Sequence, residues 1–266
     1  MSYFAPSKDF YMSTHAADEH AIEIEPTPRW VRVTFNGETI ADSKRVLLLR
    51  ESGHLPIYYF HPDDVATEFL EPTTHHTHCP YKGEASYWRV KVGQRAVDNA
   101  VWSYLDPISK SAAIKGYKAF YWHKMDAWYE EEEEVFVHAR DPYKRVDVMP
   151  SSRHIRVVVN GQTVADSRRS HLLFETGLPT RYYLPQADVR MDLLEATEKQ
   201  TRCPYKGVAG YWSARVGDGL IENVVWSYPA PIPECPKIKG LLCFFNEKVD
   251  IYVDSVLQER PQTPWS

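Results

Sequence analysis

The feature that most constrains this chain is that it says the same thing twice. Residues 32–45 read RVTFNGETIADSKR, and residues 156–169 read RVVVNGQTVADSRR, an offset of 124 (156 − 32 = 124). The offset persists through Glu51 and Glu175, Tyr58-Tyr59 and Tyr182-Tyr183, and Asp64-Val65 and Asp188-Val189. It continues through Cys79-Pro80-Tyr81-Lys82-Gly83 and Cys203-Pro204-Tyr205-Lys206-Gly207, then Tyr87-Trp88 and Tyr211-Trp212, then Trp102-Ser103-Tyr104 and Trp226-Ser227-Tyr228. A one-residue slip near Pro56 and Pro179 is compensated at once. So stable an offset means duplication, and each copy of about a hundred residues is one domain. The expected division is an extension over 1–29, a first repeat over 30–129, a connector over 130–153, a second repeat over 154–254 and a tail over 255–266.

Each copy reads as β. Val31, Val33 and Phe35 alternate with polar residues, the period of a half-buried strand. Asn36-Gly37 follows, and Asn160-Gly161 in the second copy, the dipeptide whose tolerance of positive φ marks a tight hairpin. Further strands are expected at 45–50, 57–60, 84–92, 100–104 and 116–122, with counterparts 124 residues on. Helical periodicity is weak, and only 63–71 and 123–134 are expected to hold short helices. Short strands punctuated by Gly, Pro and Asn fit a compact sandwich or open barrel.

Net charge is −5 with no clustered basic stripe, so neither nucleic acid nor an anionic membrane is an expected partner. No stretch approaches the roughly 20 apolar residues that span a bilayer, and the opening residues lack the basic start and apolar run of a signal peptide. The cysteines Cys79, Cys203, Cys235 and Cys243 form no CxxC pair, which points away from a disulfide scaffold and toward a reducing, cytoplasmic setting. The acidic run Glu130–Glu134 reads as a solvated segment.

The sharpest chemical feature is the CPYKG segment. A thiol three residues from an ammonium invites a thiolate at Cys79, and Lys82 alone is a candidate anion binder or nucleophile. The competing reading is structural: Pro and Gly shape a loop, Cys packs inside and Lys stays outside. His75, His76, His78 and Cys79 resemble a metal cluster. The second copy has Lys199, Gln200, Arg202 and Cys203 there, so no metal is expected. His78 is instead a candidate base beside Cys79, with Glu84 as a second proton carrier. Glu51 and Glu175 follow a strand and are placed to orient a lysine; Asp42 and Asp166 read as turn acceptors. Tyr59, Tyr87, Trp88, Trp102 and Tyr104 are candidate pocket walls, with Cys203 and Lys206 their companions in the second copy. Glu84, Trp122 and His123 become Val208, Asn246 and Glu247, so the second pocket is expected to be altered or idle.

The segments NGETIADSKR, ESGHLPIYYF, HCPYKGEASYW and WSYLDPI resemble the domain of unknown function 427 family, and the resemblance covers nearly all of both copies. It implies two tandem small all-β domains, similar in topology to the Mss4-like or β-tent class. The family also carries a nucleotidyltransferase label, but no phosphate loop or paired-carboxylate signature of such an enzyme is evident here. Several related folds hold zinc on CxxC knuckles, which this chain lacks, so no cofactor is expected.

Three functional readings stay open. One is a module binding a small polar or anionic ligand in an aromatic-walled pocket of the first domain beside the CPYKG loop. Another is an enzyme using Cys79 or Lys82 with His78 or Glu84 as acid or base. The third is a scaffold without pocket chemistry. Oligomeric state, ligand identity and pathway are not written in the sequence.

Overall fold

The computed structural model describes residues 20–263 and 265–266; the greater part of the expected extension over 1–29 lies outside them. Its strands fall into two compact units, 1–132 and 133–266. The first contains β1 (Ile22–Pro26), β2 (Val31–Phe35), β3 (Glu38–Ser43), β4 (Leu47–Glu51), β5 (Ile57–Tyr59), β6 (Leu70–Cys79), β7 (Gly83–Val92), β8 (Arg95–Tyr104), β9 (Lys118–Phe120) and β10 (Ala127–Glu130). β11 (Glu133–Val135), at the boundary, pairs with β10, and the second runs through β12 (Val146–Ser151), β13 (Ile155–Val159), β14 (Gln162–Ser167), β15 (Ser170–Glu175) and β16 (Arg181–Leu184). It ends with β17 (Leu194–Cys203), β18 (Gly207–Val216), β19 (Gly219–Ser227), β20 (Leu242–Phe244), β21 (Asp250–Val253) and β22 (Val256–Leu257).

The architecture is all-β in both units. In the second, one curled antiparallel sheet runs in the order β12-β15-β16-β20-β19-β18-β17, and a smaller sheet holds β14-β13-β21-β22. The first repeats the plan: β1-β4-β5 joins β9-β8-β7-β6 through a bridge between Phe60 and Lys118. The Asn-Gly hairpins form as the dipeptide dictates, with Asn36 at φ 49° and Asn160 at φ 48°.

The curled sheet has two faces, because successive side chains in a strand point oppositely. In the second domain the convex face packs Val225, Leu242 and Phe244 onto Ile155, Val157 and Ile251 of the smaller sheet. The concave face gathers a separate cluster around Tyr183, Tyr211, Trp226 and Tyr228. The first domain builds the corresponding concave cluster from Leu49, Tyr59, Ala85, Tyr87, Trp102, Tyr104 and Ala119.

Three expectations need correction. The segment 63–71 carries only single 3-10 turns at Pro62–Asp64 and Thr67–Phe69. The segment 123–134 is likewise no helix: a 3-10 turn at Trp122–Lys124 leads into β10, which pairs with β2. The apolar residues there serve a half-buried strand, not a helical stripe. Nor is the acidic run wholly solvated. Glu130 is buried, where it accepts hydrogen bonds from the Tyr58 hydroxyl at 2.7 Å and from Arg29 at 2.8 Å. Burial and the adjacent carboxylate push the Tyr58 phenol well above its ordinary range.

Candidate functional site

The CPYKG loop is the hairpin between β6 and β7, and its lysine is neither in water nor free. Lys82 is 6% exposed and donates to Glu51 Oε2 at 2.5 Å. Glu51 ends β4, so the ion pair fastens one end of the curled sheet to the loop of another part of it. The second copy makes the same clasp between Lys206 and Glu175. Gly83 is needed beside it: its φ is +101°, and a Cβ there would sit 3.4 Å from the Asp106 carbonyl.

Each carboxylate has a second neighbour, and here the copies differ. His20 Nε2 lies 2.8 Å from Glu51 Oε1 and its ring stacks on Tyr81 at 3.8 Å between centroids. In the second copy Lys144 stands 124 residues after His20, 3.5 Å from Glu175. Burial works to raise the Glu51 carboxyl, but the Lys82 and His20 hydrogen bonds outweigh it and hold Glu51 below the usual carboxylate range.

The remaining candidates divide between the two faces. Tyr59, Tyr87, Trp102 and Tyr104 are all buried on the concave side, with Cys79 partly buried against them. Trp102 donates its indole N–H to the Tyr59 hydroxyl at 3.2 Å, and Thr77 and Tyr87 share a hydrogen bond of 2.8 Å. Burial, then the neighbouring Cys79 thiol, push the Tyr104 phenol up. Cys203 and Lys206 hold the matching places in the second domain, with Tyr228 raised in the same way. His78 and Glu84 instead face each other at 3.6 Å on the convex side of β6 and β7, both largely exposed. Trp88, half-buried, belongs to that convex side too, two residues along from Ser86. The structure therefore brings Cys79, Lys82, Tyr59, Tyr87, Trp102 and Tyr104 to one face and sets His78, Glu84 and Trp88 on the other. The same alternation separates His76 and His78 from His75 and Cys79. Among the described residues no group of three or more His, Cys, Asp or Glu is placed to hold a metal ion.

The edge of the concave face around Tyr121 and His123 is a place where the two copies diverge. In the first domain Tyr121 lies 4.7 Å from Trp102, His123 lies 5.8 Å from Tyr121, and His75 meets Tyr87 edge-on at 4.6 Å. Burial and the Tyr87 hydroxyl push the Tyr121 phenol up to about 12. In the second domain Ile57 and His123 are replaced by Arg181 and Glu247, which form a buried bidentate pair at 2.8 and 2.7 Å. The C-terminal tail then closes over that pair. The Thr263 hydroxyl donates to Glu247 Oε1 at 2.6 Å, and the Arg181 guanidinium lies 5.5 Å from the Trp226 ring and 5.7 Å from the Trp265 ring. Neither Arg181 nor the tail was singled out from sequence. The one signal was Glu247 in the place of His123.

Two shallow recesses lie elsewhere. One of about 270 Å³ runs between Val146–Met149 and Glu234–Lys237, and one of about 390 Å³ is lined by Asp42, Asp63, Asp64 and Glu68 with their neighbours. Among the described residues no helix is long and apolar enough to cross a membrane.

The profile of one family, described as a domain of unknown function (DUF427), matches residues 23–131 and again residues 147–255. The chain is a tandem DUF427 protein. Both matched stretches contain a complete curled sheet with its Glu–Lys clasp, so the clasp is part of each DUF427 unit in this chain. No curated protein matches this tandem DUF427 chain.

Proposed function

We propose that this DUF427 protein binds a small, polar or anionic, ring-bearing molecule on the concave face of its first domain, and that the second domain is a closed copy serving as scaffold. The contrast at the mouth of the concave face carries this reading. The second copy fills that mouth with Arg181, Glu247, Thr263 and Trp265. The first offers Tyr121, His123 and His75 around the Trp102 and Tyr87 rings instead. Aromatic walls with a few placed polar tips suit a planar ligand, which stacks on rings and satisfies phenol and imidazole hydrogens. Small-molecule binding also suits a chain of net charge −5 better than nucleic-acid binding does.

The clasp gives Lys82 a different task from reading the ligand. Its ammonium is neutralised by Glu51, so Lys82 shapes the floor beside Cys79. The rival catalytic reading assigns proton transfer to His78 or Glu84, and both stand on the other side of the sheet from Cys79.

Native mass spectrometry of the full chain, with nicotinamide, uracil and p-hydroxybenzoate as probes, tests the proposal. The expected result is a one-to-one adduct with at least one probe, lost in Tyr121→Ala and unaffected by Phe245→Ala. Equal adducts in both variants, or none with any ring probe, would sink it.

A further inference from the structure

The convex face of the first domain carries a row of polar side chains that the second domain keeps only in part. Cross-strand register aligns His76 of β6 with Ser86 of β7, Ser86 with Ser103 of β8, and Ser103 with Lys118 of β9. Directly paired residues share a face, with Cβ atoms about 5 Å apart. The row is therefore imidazole, hydroxyl, hydroxyl and ammonium in line. Trp88 stands next to it, and the Lys118 ammonium lies 4.9 Å from the Trp88 ring centroid.

Two members of the row lack what buried polar groups ordinarily have. Ser103 is 0% exposed, and its hydroxyl makes no hydrogen bond to any of the described residues. Nearly every buried hydroxyl in a folded protein finds a partner, and one left without costs roughly 1–3 kcal/mol. Lys118 is half-buried and is held only by the Trp88 ring, with no carboxylate or carbonyl at its ammonium among the described residues. Burial alone lowers its pKa. Elsewhere in this domain Lys82, Lys91, Lys115 and Lys124 each meet an oxygen.

The second copy supplies the control. The aligned row there is Gln200, Gly210, Ser227 and Leu242, in the same register. Leu242 is 0% exposed in the core. The fold thus closes without the lysine and without the first serine, and an apolar residue suits the position. A half-buried cation kept where leucine packs, beside an unpartnered hydroxyl, is a site prepared for a group that is not part of the chain.

We propose that Lys118, Ser86 and Ser103, walled by Trp88, bind the oxyanion of a small organic acid, a carboxylate or a phosphate monoester. The ammonium supplies the charge and the two hydroxyls donate to the oxygens, as charge-assisted hydrogen bonds require. The Trp88 ring packs on the apolar part of the ligand. Glu84, on the same face, is turned to His78. This site lies on the opposite face from the one argued above and stands independently of it.

The test titrates the full-length protein with benzoate, phenyl phosphate and neutral benzamide, following tryptophan indole N–H resonances by NMR, with Trp88 assigned through Trp88→Phe. The expected result is a saturable shift of the Trp88 signal with one or both acids and none with benzamide; the responding acid identifies the oxyanion. Lys118→Leu, which copies the second domain and so preserves packing, should weaken binding by at least about tenfold. Ser86→Gly should weaken it less, and Lys110→Leu not at all. Equal titrations of wild type and Lys118→Leu would overturn the proposal, as would a wild-type Trp88 signal that neither acid moves. Because Tyr121→Ala leaves this face intact, a loss confined to that variant separates failure here from failure on the concave face.

Discussion

Removing Lys82 should damage the first domain more than removing Lys206 damages the second. Lys82→Met keeps most of the apolar stem and deletes the ammonium that donates to Glu51. It leaves the Glu51 carboxylate buried, with His20 at 2.8 Å as its remaining partner. Breaking a buried pair from one side typically costs about 3–5 kcal/mol, because the surviving charge is no longer compensated. Lys206→Met leaves Glu175 a full ammonium, Lys144, at 3.5 Å. We expect about 3 kcal/mol for the first substitution and roughly half that for the second. At the first domain's size, 3 kcal/mol is a fall in midpoint of roughly 10 °C. Replacing both partners, Glu51→Leu with Lys82→Met, should return the domain to within about 1 kcal/mol of wild type. Scanning calorimetry gives the midpoints, and hydrogen exchange assigns each loss to its domain. A Lys82→Met protein within about 0.5 kcal/mol of wild type would mean the pair is worth no more than a surface one, and the clasp argument fails.

Stability should decline in acid. Glu51 and Glu247 both ionise below the ordinary range when folded, burial being outweighed by Lys82 and His20 in one case and by Arg181 and Thr263 in the other. Such groups stabilise fully above the unfolded carboxylate range, and their contribution drains as pH falls through the depressed folded values. Urea midpoints should therefore drop below about pH 5 and drop less steeply in Glu51→Gln; parallel profiles would refute this. Truncation after Gln258 should expose the Arg181–Glu247 pair and speed hydrogen exchange in the second domain alone. Exchange that quickens equally in both domains would contradict the capping role. Gly207→Ala should cost more than Gly83→Ala, since its Cβ would meet Ala230 O at 3.2 Å rather than Asp106 O at 3.4 Å, both at positive φ; denaturant midpoints in the reverse order would argue against it. Thiol labelling of the folded chain should modify Cys79 and Cys203 first. It should spare Cys243, which is fully buried and whose thiol burial pushes up to about 12.

What sequence could tell followed from side chains whose preferences are local. Asn-Gly turns, the alternation at Val31, Val33 and Phe35, and the repeat itself needed no partner to be read. The pairing of Glu51 with a lysine was within reach because both residues recur in both copies. β6 was not: Pro72–His78 is mostly exposed and polar, so it offers no apolar period, and its pairing with β7 makes it a strand. The division of candidates between faces was equally out of reach. It depends on a register that shifts at the bulges between Pro72 and His76 and between Trp88 and Val90. Lys118 reads in sequence as one more surface lysine. Only its alignment with Leu242 hints that the position is inside.

The pairing of β2 with β10 has a topological consequence. Val31 lies opposite Glu130, and in the second copy Ile155 lies opposite Val253, so in each unit a strand near the start of the chain pairs with one near its end. A unit whose early and late strands adjoin can be inserted, permuted or copied again without threading any loop through another. A circular permutant opened at the exposed Asn36-Gly37 turn should keep the whole hydrogen-bond ladder, and a gene that doubled once met no geometric obstacle to doing so.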